Sequence, residues 1–274
     1  MIHVSNKNFN LENSDNYYNQ FILNKPFPHF VIDDFLENES AKKILNNFKI
    51  NKHWTNSSLV NNYKKYGLNN RKYMDKNCND VIDELGSDAF IQILSKVTGI
   101  KNIFLDPHLD GGGLHQIFNG GSLNLHTDFN SHTIEKKWKR VLNIIIYLNE
   151  NWVEEYNGNL EFWDDKIKKK GKSIMPIFNR CVIFQTNKKS FHGHPETLNL
   201  PQNISRKSLA AYYFVKEDKS LKLYSTKFVG RPKDTIFYKF LIGVDTFLNK
   251  IFSFLKRYRI VNDKFASKIL DLFN

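Results

Sequence analysis

Cysteine is nearly absent. The 274 residues hold two, Cys78 and Cys181. That excludes a disulfide framework and a cysteine-rich zinc site, and it fits a reducing, cytoplasmic setting. Arginine is scarce as well, since only seven of the forty basic residues are Arg. The net charge of +12 is therefore carried by lysine. Arginine is the usual reader of bases and phosphates, so no nucleic-acid partner is expected. Met1 to Asn24 is Asn-rich and polar, with no basic stretch leading into an apolar run, and no secretory signal is read. No internal repeat is found. What is present is 41% hydrophobic and 14% aromatic residues, enough for a core and against disorder. The length suits one large domain, or one domain with a small extension.

Residues 1–24 read as a polar N-terminal arm, and 25–102 as a helical support region. Lys25-Pro26-Phe27-Pro28-His29-Phe30-Val31-Ile32 is extended, because each proline pushes its predecessor out of the helical region. Asp33 or Asp34 is placed to cap a helix running to about Phe48, with Phe35, Leu36, Ile44, Leu45 and Phe48 as its buried face. Residues 51–77 are polar and read as loop. A second helix is expected over Asp80 to Val97, where Val81, Ile82, Leu85, Ala89, Ile93, Leu94 and Val97 recur at helical spacing.

Beyond residue 103 the pattern changes to short β-type runs parted by Gly, Asn, Asp and Pro clusters. They are 114–118, 122–127, 139–148, 158–163, 173–177, 180–186, 189–192 and 205–215. Eight short strands with no helix among them predict a closed antiparallel sandwich or jelly roll over 103–216. The expected class is mainly β with flanking helices (α+β). Residues 217–274 form a basic helical extension. From residue 216 onward thirteen Lys/Arg face six Asp/Glu. Ile236, Phe237, Phe240, Leu241, Val244, Phe247, Leu248, Ile251, Phe252 and Leu255 mark an apolar helix face there. Lys239, Asp245 and Lys250 interrupt it, so no transmembrane span is expected. That face is expected to pack on the β core or on a second subunit, giving a homodimer; lying on a membrane surface is the alternative.

The chemistry concentrates in His126-Thr127-Asp128, with His192 and Arg206 downstream. Two imidazoles and a carboxylate can hold one face of an octahedral iron(II) and leave the other open. His-x-Asp alone is uninformative, because His108-Leu109-Asp110 and His194-Pro195-Glu196 have similar spacing. Context separates them. His126 and Asp128 end the alternating run Ser122-Leu123-Asn124-Leu125-His126, and residues i and i+2 of a strand share a side. His108 and Asp110 lie in a turn-like stretch ending in Gly111-Gly112-Gly113, which reads as a solvated loop. For the distal histidine, His192 and His194 have the same parity. His192 is favoured because Phe191 and the run Val182-Ile183-Phe184-Gln185 place it nearer the core, while His194, beside Pro195, is read as leaving the strand.

From Gln116 to Phe214 the chain resembles the iron(II)- and 2-oxoglutarate-dependent dioxygenases, within them the prolyl-hydroxylase-like branch. The resemblance rests on His126-Thr127-Asp128-Phe129-Asn130, Arg140 to Asn149, Gly158 to Trp163, Pro176 to Phe184, Ser190 to Pro195 and Arg206 to Phe214, in that order. It covers about 100 of the 274 residues. Pro26-Phe27-Pro28-His29 to Phe35-Leu36 is similar to the family's entry strand and helix. The resemblance implies a double-stranded β-helix with iron(II) on His126, Asp128 and His192. It implies that Arg206 pairs with the distal carboxylate of 2-oxoglutarate, that Tyr147 donates to the same carboxylate, and that Gln116 and Ser208 lie near the cosubstrate. O₂ is then the second cosubstrate, with ascorbate as a reductant. One departure is a loop insertion, Glu196 to Asn203, between His192 and Arg206, which bears on substrate preference because such a loop can line the mouth of the site.

The expected activity is hydroxylation of a prolyl residue in a peptide or protein, with 2-oxoglutarate and O₂ converted to succinate and CO₂. Hydroxylation of a free amino acid, sugar or other small metabolite is the second reading. A non-catalytic cupin-like binding module is the reading from another class.

Overall fold

The N-terminal arm is largely ordered. The computed structural model describes residues 1–56, 60–222, 224–258 and 260–261. It places helix α1 at Ser14–Leu23. Phe9 and Phe21 are buried beside Phe30, and Phe9 also meets Phe35 and Phe90, with ring centroids 5.2–6.4 Å apart. The proline-bracketed segment gives strand β1 (His29–Ile32) as expected. Asp34 then takes φ +50°, a left-handed conformation unlike that of a helix N-cap. The helix therefore starts late, as α2 (Asn38–Ile44).

The stretch read as loop holds two short strands, β2 (Thr55–Asn56) and β3 (Lys65–Leu68). The helix expected over 80–97 is two helices, α3 (Lys76–Leu85) and α4 (Asp88–Thr98). They break at Gly86-Ser87 because Ser87 caps α4, its Oγ accepting from Phe90 N at 3.3 Å. Both helices bury their apolar faces in one core, but the spacing slips by one residue at the break: Leu85 ends one face and Phe90 opens the next, while Ala89, expected on the buried face, is exposed.

Ten further strands follow: β4 (Phe104–Leu105), β5 (Gly113–Ile117), β6 (Leu123–Thr127), β7 (Trp138–Tyr147), β8 (Leu160–Trp163), β9 (Lys170–Ile174), β10 (Cys181–Gln185), β11 (Phe191–His194), β12 (Arg206–Lys216) and β13 (Lys227–Val229). All eight expected strands are present within a few residues. One sheet runs β1-β10-β7-β12-β5-β3-β2, with β4 also on β12; the other runs β13-β6-β11-β8-β9. All pairs are antiparallel. From β5 to β8, and again from β9 to β13, the chain crosses between sheets at every step, which is the jelly-roll pattern. Leu142, Ile144, Ile146, Leu209, Ala211 and Tyr213 form one continuous core with residues of the N-terminal helices. Tyr147, Val182 and Phe184 from the larger sheet instead meet Leu160, Phe162 and Ile174 from the smaller one. Strands buried on both faces read as unbroken apolar runs, as Ile144 to Tyr147 of β7 and Cys181 to Phe184 of β10 do.

The last helix is α5 (Ile236–Arg257). Its buried side carries Ile242, Asp245 and Thr246, whereas Phe237, Phe240, Phe247, Leu248, Ile251 and Phe254 are exposed. The apolar face does not cover the β core. It also contains a repeat that the sequence reading missed: Phe240-Leu241, Phe247-Leu248 and Phe254-Leu255 recur every seven residues. No helix among the described residues is long and apolar enough to cross a membrane.

Candidate active site

Strand register brings the two histidines together. His126 on β6 lies opposite His192 on β11, with ring centroids 4.4 Å apart. Gly193 permits this approach, since a Cβ there would sit 2.8 Å from the carbonyl oxygens of Leu123 and Asn124. Each ring Nδ1 is 2.9 Å from the carbonyl two residues earlier, Asn124 for His126 and Ser190 for His192. A carbonyl only accepts, so Nδ1 carries the proton and Nε2 keeps its lone pair. The Nε2 atoms face Asp128, at 3.7 Å from Oδ1 and 3.5 Å from Oδ2 respectively. One donor atom from each of the three residues lies within 4.8 Å of the others, the one such group found among the described residues.

The electrostatics suit metal binding. Burial, with His192 nearby, pushes the His126 pKa down to about 3, and burial lowers that of His192. Both rings are thus neutral ligands at physiological pH. Burial alone would raise the Asp128 carboxyl, but the Arg140 guanidinium and the two imidazoles outweigh it and hold it well below the usual range. Arg140 Nη2 is 3.2 Å from Asp128 Oδ2, and Asn143 Nδ2 donates to the same oxygen at 2.8 Å. Arg140 Nε in turn donates to Asn143 Oδ1 at 2.9 Å. Its guanidinium carbon sits 3.4 Å from the ring centre of Tyr212 and 4.6 Å from that of Phe129. Two imidazoles and one fixed carboxylate beside a cavity are the facial donor set that suits iron(II).

Arg206 lies on β12 with Ile117 as its β5 partner; two residues on, Ser208 pairs with Tyr147 and with His115. Tyr147, Arg206 and Ser208 therefore share the inward face of the larger sheet. Arg206 Nε donates to Gly158 O at 2.8 Å and Nη2 to the Tyr147 hydroxyl at 3.3 Å. Gly158 has φ +77°, and a Cβ there would meet Leu198 Cδ2 at 2.5 Å and Arg206 Cδ at 3.1 Å. Only glycine fits. Arg206 is buried, and no carboxylate among the described residues pairs with it. A buried cation of this kind fits an incoming dianion, and the planar fork suits a carboxylate.

Gln116 is not brought to this cluster. Its register partner is Lys207, one residue off the Arg206 row, so it faces the other side of the sheet and donates to Ser205 Oγ at 2.8 Å. His194 has not left the strand. It is the last residue of β11 and is buried; a register irregularity after His192 sets it opposite Leu123. The turn at 106–113 is not simply solvated. Buried Asp106 accepts from His108 N at 2.9 Å and Asp110 N at 2.6 Å, while the His108 side chain stays exposed. Glu196 pairs with Arg231 and Lys233. Sequence reasoning missed Lys65, Arg140 and Asn143. Arg140, a charge opening an apolar strand, was the one available signal.

A cavity of about 210 Å³ opens beside the triad, lined by residues that include Lys65, His126, Asp128, Phe129, Arg140, Tyr212, Phe228 and Asn249. A second, of about 560 Å³, shares Ser225 with it and adds Lys188, Lys227 and Lys250.

Residues 112–214, which contain the triad, Tyr147 and Arg206, match the sequence profile of the 2OG-Fe(II) oxygenase superfamily. The match covers this core, about 100 of the 274 residues. A curated relative, prolyl 3-hydroxylase OGFOD1 of Mus musculus, is 26% identical over 195 residues, 69% of this chain and 33% of the relative. The chain thus spans about a third of that protein's length. Among solved structures, a Pseudomonas putida prolyl-4-hydroxylase superposes with TM-score 0.53 at 11% identity, covering 74% of this chain and 100% of that one. A Trichoplax adhaerens prolyl hydroxylase, in complex with a hypoxia inducible factor oxygen degradation domain peptide fragment, gives 0.52 at 17% identity, covering 74% and 89%. Both support the jelly-roll fold.

Proposed function

We propose that the protein is an Fe(II)- and 2-oxoglutarate-dependent dioxygenase that hydroxylates a prolyl residue of a peptide or protein in the cytoplasm. The observation that carries the reading is the pairing, inside one jelly roll, of a neutral-His, anionic-Asp facial triad with a buried Arg206 that has no carboxylate partner among the described residues. The relative named as a prolyl 3-hydroxylase and the peptide-bound structural neighbour support prolyl as the target. When bound, iron and 2-oxoglutarate supply the oxidising chemistry, in which O₂ is consumed and succinate and CO₂ are released. The chain's own residues position and shield. Arg206 holds the distal carboxylate, with Tyr147 and Ser208 beside it. The carbonyls of Asn124 and Ser190 fix the imidazoles, and Arg140 with Asn143 fixes Asp128. Phe228, 5.1 Å from His126, and Phe184, 4.7 Å from His192, exclude water from the rings.

The test is succinate release from 2-oxoglutarate by the iron-loaded protein, with mass spectrometry of proline-containing peptides for a gain of one oxygen. Activity in the wild type and its loss in His126→Ala support the reading. No succinate from the wild type, together with unchanged metal affinity in His126→Ala, would leave a cupin-like binding module instead. Hydroxylation of free amino acids or sugars alone would move the substrate to the small-metabolite class.

The exposed seam of α5 is the basis for a homodimer. Phe237, Val244, Ile251 and Tyr258 alternate with Phe240, Phe247 and Phe254 at heptad spacing, the pattern of two helices packed side by side. Light scattering should give twice the chain mass, and Phe247→Glu should halve it. A monomer that sediments with phosphatidylserine vesicles would identify a membrane surface as the occupant.

A further inference from the structure

Lys65 is a cation with no ion-pair partner among the described residues. It lies on β3 opposite Ile117, which on its other side is paired with Arg206. Lys65, Ile117 and Arg206 therefore form one inward-facing row across the sheet. The side chain lines the 210 Å³ cavity together with His126, Asp128 and Arg140. Among the described residues it has no carboxylate within ion-pair distance and its ammonium makes no hydrogen bond. Burial pushes its pKa down to about 8, with Arg206 and Arg140 adding to the fall and Asp128 the one group opposing it.

The charge balance of the site makes this informative. Asp128 is the one carboxylate among the described residues lining either cavity, and Arg140 already answers it at 3.2 Å. Iron(II) and dianionic 2-oxoglutarate cancel each other. Arg206 and Lys65 then remain as an excess of positive charge in a partly desolvated space, which is costly unless an anion arrives. The adjoining 560 Å³ cavity continues in the same sign, with Lys188, Lys227 and Lys250 and no acidic residue. Clefts of one sign concentrate ligands of the other.

We infer that Lys65 is a substrate-binding residue, and that the substrate presents a carboxylate beside the carbon to be hydroxylated. This rests on the dioxygenase reading above. The carboxylate can belong to an Asp or Glu side chain flanking the target proline or to the free carboxyl of an amino acid. Both place the same group against the same ammonium.

Four probes separate these sources with the iron-loaded enzyme at saturating 2-oxoglutarate: a proline-centred peptide pool with flanking Asp/Glu, the same pool with Asn/Gln, L-proline, and L-prolinamide. The acidic pool, or L-proline, should be hydroxylated with kcat/KM about 10- to 100-fold above its amide counterpart, the range for one charge-assisted hydrogen bond. Lys65→Met should erase that preference and Lys65→Arg should keep most of it. A separate arm needs no turnover: acetic anhydride labelling of Lys65, read by mass spectrometry, should be blocked by the preferred carboxylate probe and persist in 2-oxoglutarate alone. Equal use of acid and amide probes overturns the inference. So does a Lys65→Met enzyme whose KM for 2-oxoglutarate rises while the preference survives, since Lys65 would then serve the cosubstrate. A wild type that turns over 2-oxoglutarate yet oxidises none of the probes also overturns it. Absence of any 2-oxoglutarate turnover is instead a failure of the dioxygenase reading, and the labelling arm then decides on Lys65 by itself.

Discussion

Replacing Arg206 by Met should have opposite effects on the free and the 2-oxoglutarate-bound protein. In the free protein the guanidinium is buried, its pKa lowered by burial, and its bonds to Gly158 O and the Tyr147 hydroxyl, at 2.8 and 3.3 Å, are to neutral acceptors. Exchanging a buried charge for an apolar side chain of similar volume is commonly neutral, or stabilising by about 1–4 kcal/mol. The unliganded melting temperature should therefore hold or rise. With 2-oxoglutarate the balance reverses, because the ligand's distal carboxylate would be buried without its partner. Breaking a buried ion pair on one side costs about 3–5 kcal/mol, a loss of roughly two to four orders of magnitude in affinity. At a ligand concentration of about 100 Kd the wild type gains about 2.7 kcal/mol, or about 5–10 °C for a chain of this size. Thermal denaturation with Mn(II), with and without 2-oxoglutarate, reads both quantities. Arg206→Lys keeps a point charge without the fork and should fall between the two. An Arg206→Met protein that melts well below the wild type when unliganded, yet keeps the full 2-oxoglutarate increment, would refute the assignment.

Other perturbations read other parts of the site. Gly158→Ala forces a Cβ into Leu198 and the Arg206 stem at a position with φ +77°, and should cost about 1–3 kcal/mol, seen as a lower denaturant midpoint together with weaker 2-oxoglutarate binding. Asn143→Ala removes the 2.8 Å bond that orients Asp128 and should weaken Mn(II) binding about 10- to 100-fold by calorimetry; unchanged affinity would mean that Arg140 suffices. His132 carries a pH-dependent share of stability. Burial works to lower its pKa, but the Asp106 and Asp110 carboxylates outweigh it and raise the group above 6.5. A histidine raised in the folded state stabilises fully below its unfolded pKa, and the contribution is lost as pH rises through the folded value. The wild type should thus lose stability on going upward from about pH 6.5, and His132→Gln should flatten that segment of the curve; an unflattened curve would remove His132 from the account.

How far the sequence could be read follows from what each element is made of. β5 to β12 announce themselves because alternation and turn residues are local properties. His126 and Asp128 could be selected by strand parity, and His192 by the apolar residues around it. β3 could not be read in the same way. Lys65-Tyr66-Gly67-Leu68 has no apolar alternation of its own, and it is a strand because β5 offers it a free edge. Lys65 was therefore invisible as a site residue until pairing set its row. Gln116 erred in the opposite direction. A spacing carried over from a resemblance placed it at the cosubstrate, but its register with Lys207 turns it to the far face. The α3–α4 break and the left-handed Asp34 are single-residue backbone events inside nearly continuous apolar spacing, which periodicity averages away.

The outward orientation of the α5 apolar face has a local cause. Its buried side covers polar groups of the site, and it is polar to match. Asp245 Oδ2 accepts from Asn61 N at 2.8 Å; Asn61 Oδ1 accepts from Asn124 Nδ2 at 3.1 Å; the Tyr238 hydroxyl donates to Asn124 Oδ1 at 3.3 Å. Asn124 O is the acceptor that fixes His126 Nδ1. The helix thus braces the backbone that orients a metal ligand, and Asn249 and Ser253 extend its polar side along the cavity. An amphipathic helix normally gains its stability by burying its apolar stripe. Here most of that stripe faces outward, and attachment rests on buried Ile242, the Lys256–Asp110 ion pair at 3.6 Å and a few hydrogen bonds, each contributing about 0.5–1.5 kcal/mol net, or about 1.5–3 kcal/mol where the Asp245 carboxylate is the acceptor. The exposed Phe and Leu residues therefore represent hydrophobic stabilisation that the single chain does not realise, which is the physical reason to expect a second surface on that face.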